Sequence, residues 1–89
     1  MKLSYLLHFI EVPHLSIVQE LHYLCTEAVR RYSLADVSIT YDNQCPTTLA
    51  LEIAPLNGLT YRQLEELQHQ LRETFINVRA SYMGGLRKH

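Results

Sequence analysis

Val37-Ser38-Ile39-Thr40-Tyr41-Asp42 and Leu49-Ala50-Leu51-Glu52-Ile53-Ala54 decide how this chain folds. In the first stretch Val37, Ile39 and Tyr41 alternate with Ser38, Thr40 and Asp42, the period of a strand that is covered on one face and exposed on the other. In the second, Leu49, Leu51 and Ile53 alternate around Ala50 and Glu52. Asn43-Gln44-Cys45-Pro46 between them is turn chemistry. Strands over 36–42 and 48–54 therefore form a hairpin.

Before the hairpin the period is helical. Val18, Leu21, Cys25, Ala28 and Tyr32 follow steps of three and four, with Ile17 and Leu24 widening the stripe, while Gln19, Glu20, Glu27, Arg30 and Arg31 hold the other side. A helix over 14–33 is predicted. Two start signals compete: a Ser16–Gln19 capping box, or Pro13 at the first helical position. Further back, residues 3–12 are dense in leucine, aromatic and β-branched side chains on both alternating sets and read as a strand. After the hairpin, Pro55-Leu56-Asn57-Gly58 breaks the sheet. Thr60-Tyr61-Arg62-Gln63 then matches a T-x-x-Q capping box and opens the stripe Leu64, Leu67, Leu71, Phe75, Val78 and Tyr82. That helix is predicted over 60–83, ended by Gly84-Gly85 and followed by a basic tail, 84–89.

The order is β-α-β-β-α, one small two-layer α+β domain over residues 1–89. Strand, helical crossover and strand predict a parallel pair, to which the hairpin adds an antiparallel strand. The expectation is a three-stranded mixed sheet with two helices on one face. Its other face is left relatively bare, and its two edges can accept another chain unless blocked. The last helix, about 36 Å long over 60–83, exceeds strands of about 20–27 Å. Its final turns, carrying Val78, Tyr82 and Met83, are expected to overhang the sheet, either packing on the first helix or fraying, or serving as a partner contact or a homodimer seam.

At 89 residues and 47% hydrophobic, 19% charged composition, the chain is neither disordered nor large enough for a second domain. Cys25 and Cys45 are too few for a disulfide framework, which points to a reducing, cytoplasmic setting. No stretch has the ~20 apolar residues of a membrane span. The net charge of -1 supplies no global field for nucleic acid. It is unevenly spread: up to Glu73 five basic residues stand against all nine acidic ones, and beyond it lie only Arg79, Arg87 and Lys88. The basic tail suits a helix C-terminus, and direct nucleic-acid binding through it ranks last among the readings.

No cofactor, metal or catalytic centre is expected. His22 and Cys25 lie three apart on a helix, but there is no C-x-x-C or H-x-x-x-H pair, and Cys25 falls on the apolar stripe. Cys45 sits in a turn with no base nearby in sequence. Gly84-Gly85 lacks the spacing of a phosphate loop. Tyr41, beside Asp42, lacks the basic flank of a base-stacking platform.

Three stretches resemble the DinI-like family. Leu24, Glu27, Arg30, Arg31 and Tyr32 are similar to its L-x-x-E-x-x-R-R-hydrophobic run; Val37-Ser38-Ile39-Thr40-Tyr41 to its V-S-x-x-Y strand; and Gly58, Thr60, Leu67, Leu71, Glu73, Thr74 and Phe75 to its G-x-T and L-x-E-T-aromatic positions. Together they span residues 24–75. The stretch from Tyr41 to Gly58 is longer than the family's hairpin, and the last helix is less acidic. The resemblance implies a β-α-β-β-α protein that binds the RecA–single-stranded DNA filament and modulates the SOS response. It directs attention to the last helix, with Glu65, Glu66, Arg72, Glu73, Val78, Arg79 and Tyr82 as expected partner contacts. The alternative is a homo-oligomeric interaction or inhibitor protein of phage or plasmid type, acting on another host complex.

Overall fold

The computed structural model describes the backbone of residues 1–87 and the side chains of residues 1–80. The chain forms β1 (Leu3–His8), α1 (Leu15–Arg30), β2 (Asp36–Tyr41), β3 (Thr48–Ala54) and α2 (Tyr61–Arg87). It is a small α+β domain with the expected element order. The sheet order is β1-β3-β2, and both ladders are antiparallel. The direct parallel pair expected of β1 and β2 is not formed, so the sheet is not mixed. Both outer strands run antiparallel to β3 and hence parallel to each other, with β3 inserted between them.

The reason lies in β3. A central strand has neighbours on both sides, and Leu49, Leu51 and Ile53 are fully buried on the core face. Across it run three rows of side chains: Leu3–Ile53–Val37, Tyr5–Leu51–Ile39 and Leu7–Leu49–Tyr41. On these pack Val18, Leu21, Cys25 and Val29 of α1 and Leu67, Leu71, Phe75 and Val78 of α2. Phe75 meets Tyr5 edge to face, ring centroids 5.1 Å apart.

Element boundaries follow from the available partners. β1 ends at His8, earlier than the predicted 12, because β3 begins at Thr48 and Phe9 N–H makes the last cross-strand bond, to Thr47 O at 2.9 Å. Beyond it Ile10 and Val12 are exposed. α1 occupies 15–30 of the predicted 14–33. His14 is its N-cap and makes no side-chain capping bond, so Ser16 lies inside the helix and Pro13 precedes the cap. Its closing turn is held by the N–H groups of Tyr32 and Ser33 on Val29 O, both at 2.9 Å. Pro13 is buried, and its carbonyl accepts the Tyr41 hydroxyl at 2.7 Å.

After β3, a cis Ala54–Pro55 bond and Gly58, at φ +76, turn the chain toward α2. There the capping box is formed in both directions: Gln63 N–H donates to Thr60 Oγ1 at 3.1 Å, and Thr60 N–H to Gln63 Oε1 at 3.0 Å. Gly84 and Gly85 do not end α2, which continues to Arg87. Glycine weakens a helix interior but stops a helix only where it takes the left-handed conformation. With 27 residues α2 is about 40 Å long and sets the longest dimension of the domain, 45 Å.

Thr60→Ala removes half of the box and is expected to cost about 1 kcal/mol, a fall in Tm of about 4–8 °C for a domain of this size. Thr60→Ser should restore it in thermal unfolding followed by circular dichroism. Burial pushes the Cys25 thiol from 9.0 up to about 12. The unfolded chain releases that proton near 9 while the folded chain keeps it, so the stability held by the neutral thiol is complete below pH 9. It is lost as pH rises through about 12. Urea midpoints should therefore fall less steeply between pH 9 and 11 in Cys25→Ala than in the parent chain.

Candidate functional site

α2 divides its circumference sharply. Leu67, Leu71, Phe75 and Val78 face the core, and Glu65, Glu66, His69, Arg72, Glu73, Ile76 and Arg79 are exposed or nearly so on the far side. Steps of three and four carry Glu65, His69, Arg72, Ile76 and Arg79 along one outward row. Ile76, 66% exposed, is the one large apolar side chain in it. Sequence reasoning missed Ile76; the signal was its place off the core stripe, one residue past Phe75.

The charges on this face are lightly held. Glu66 lies 4.0 Å from Arg62 and accepts the Tyr32 hydroxyl at 3.4 Å. Glu73 stands 3.3 Å from His69. Glu65, Arg72 and Arg79 have no ion pair among the described residues. Exposed pairs of this kind contribute about 0.3–0.5 kcal/mol, so these side chains are available to a partner at little cost to the fold. Tyr32, at the end of α1, also accepts from Gln70 Nε2 at 3.3 Å and so ties the two helices together.

Between the helices runs an open groove of about 310 Å³, with Leu24, Glu27, Ala28 and Arg31 on one wall and His69, Gln70, Glu73 and Thr74 on the other. Leu24, Glu27 and Arg31 are thus brought beside Glu73 and Thr74 across more than forty residues of sequence. The groove continues into the outward row through His69 and Glu73.

One expected contact falls elsewhere, and another lies outside the described side chains. Val78 is 4% exposed and belongs to the core, not to an overhang. Phe75 packs on Tyr5 in the middle of β1, and Val78, about 4.5 Å further along the helix axis, still lies over the sheet. The side chains of Tyr82 and Met83, and the end of the basic tail at 88–89, lie outside the described residues.

His22 and Cys25 do not form a site. Cys25 is buried, and His22 Nε2 donates to Val37 O at 2.9 Å. Among the described residues no group of three or more His, Cys, Asp or Glu is placed to hold a metal ion, and no helix is long and apolar enough to cross a membrane. Cys45 is exposed, and hydrogen bonds with the hydroxyls of Thr47 at 3.2 Å and Thr48 at 3.5 Å lower its thiol pKa. Thr48 Oγ1 is in turn 3.0 Å from His8 Nδ1. This chain of contacts satisfies the buried Thr48 hydroxyl and pins the β2–β3 turn to β1.

No family model matches the chain, and neither does any curated protein or solved structure.

Ile76→Lys should leave unfolding free energy within about 0.5 kcal/mol of the parent, whereas Leu71→Ala, fully buried five residues earlier, should cost about 2–5 kcal/mol. Chemical denaturation of the two variants checks this division of α2.

Proposed function

We propose that this chain is a non-enzymatic regulatory domain that docks the outward row of α2, and the groove beside α1, onto a protein partner. The specific form is modulation of a RecA–single-stranded DNA filament, as the DinI-like resemblance implies, which would place its action in the cytoplasm and in the response to DNA damage. The observation that carries this reading is the convergence of two separate stretches of that resemblance, Leu24/Glu27/Arg31 and Glu73/Thr74, on one groove. Beside it Ile76 stands between Arg72 and Arg79, an apolar anchor with charges around it. Interface energy concentrates in such desolvated anchors, while surrounding charges set register and speed encounter.

The test is light scattering coupled to size exclusion, run with a RecA filament assembled on single-stranded DNA. The parent chain should elute with the filament. Reversing Glu65, Glu66 and Glu73 to Lys should abolish co-elution without altering the circular dichroism spectrum, and Ile76→Asp should do the same. Binding that survives both changes would remove α2's outer face from the proposal; a parent chain that ignores the filament would remove the filament.

A further inference from the structure

Two hydrogen bonds fix which backbone groups of the outer strands face away from β3. On β1, Phe9 N–H bonds to Thr47 O, so in this register Leu3, Tyr5 and Leu7 bond to β3. The N–H and C=O groups of Ser4, Leu6 and His8 then point outward. On β2, Asp42 N–H bonds to Thr48 O at 2.9 Å, which turns Val37, Ile39 and Tyr41 outward by the same rule. The two edges are not treated alike. α1 leans over the rim of β2, where His22 takes the outward carbonyl of Val37. Among the described residues no side chain bonds to the outward backbone of β1. Nor do residues 3–9 contain a Lys, Pro, Gly or acidic residue, the usual means by which an edge resists pairing. Leu6, 62% exposed on the face away from the helices, adds an uncovered apolar side chain.

We propose that β1 pairs with β1 of a second copy, antiparallel, about a two-fold axis through Leu6. The outward residues are symmetric about that point. Leu6 meets the partner copy's Leu6, and Ser4 meets the partner copy's His8 twice over, so every outward N–H and C=O of the strand finds a partner. On the core face Tyr5 comes opposite the partner copy's Leu7, an aromatic–aliphatic cross-strand pair. On the bare face the two Leu6 side chains cover each other. His8 uses Nδ1 on Thr48, which leaves Nε2 toward the opposing Ser4. The antiparallel sense also brings Lys2 at one end of the strand toward Glu11 beyond the other end, whereas a parallel pairing would stack like with like.

The axis stands perpendicular to the sheet, so both copies of α2 lie on one side of a six-stranded sheet. A strand edge and one leucine pair make a contact smaller than the ~1,200 Å² at which stable interfaces begin, so the dimer should dissociate on dilution.

Light scattering across a dilution series of the full chain tests the proposal. The parent should approach twice the chain mass at high concentration, and Leu6→Lys, which sets like charges face to face on an exposed site, should stay monomeric, with thermal unfolding equal to that of the diluted, monomeric parent. In a Cys45→Ser background, Leu6→Cys should be cross-linked to a dimer by air and copper–phenanthroline, because a hydrogen-bonded antiparallel pair holds its Cα atoms about 5.5 Å apart. Thr40→Cys, on β2, should not. A parent that is monomeric at every concentration, a dimer indifferent to Leu6→Lys, or Thr40→Cys cross-linking as fast as Leu6→Cys would each overturn it.

Discussion

Every ladder hydrogen bond of the sheet is made to β3, the last strand to appear in the sequence. β1 and β2 touch the sheet through it alone, so neither can be placed until residues 48–54 arrive. The alternation within β3 then does two things at once. Its odd residues, Leu49, Leu51 and Ile53, fill the core between the sheet and the helices, while Ala50 and Ala54 keep the other face shallow. The same odd residues carry the backbone bonds to β1 and the even ones those to β2.

The helix layer inherits its position from this arrangement. Two helices packed side by side need about 8–10 Å between axes, and three strands spaced by about 4.8 Å leave little width to spare. At β2, His22 closes one backbone group of the edge, and the start of α1 is tied to the sheet through Pro13 and Tyr41; at β1, Phe75 of α2 packs on Tyr5. Tyr32 and Gln70 fix the two helices at the other end of α1. The two edges consequently differ by one closed carbonyl, that of Val37 on β2.

What could be read from the sequence was local. The hairpin, the amphipathic stripes and the Thr60–Gln63 box depend on residues within a few positions of one another, and they are present in the fold, the stripe of α2 as far as Val78. Strand order was not legible, because the preference of β3 for the centre is decided by contacts with residues more than forty positions away. The end of α2 was misread at Gly84-Gly85 because glycine's sequence signal is a conformational permission, which tertiary structure need not use. Val78 was misplaced for a different reason. Comparing helix and strand lengths assumes that both start at the same level, whereas Phe75, fifteen residues into α2, sits over the middle of β1.

The separation between what folds α2 and what it displays bears directly on function. Its core stripe is anchored by Leu67 and Leu71, fully buried, and by the capping box at its start. Its exposed side contributes only two i,i+4 pairs among the described residues, Arg62–Glu66 and His69–Glu73, whose net stabilisation is a few tenths of a kcal/mol each. Substitution along the outward row is therefore nearly free for the fold and is constrained only by what the row touches. Ile76, exposed between two arginines, is the one large apolar side chain on that row and adds nothing to the core.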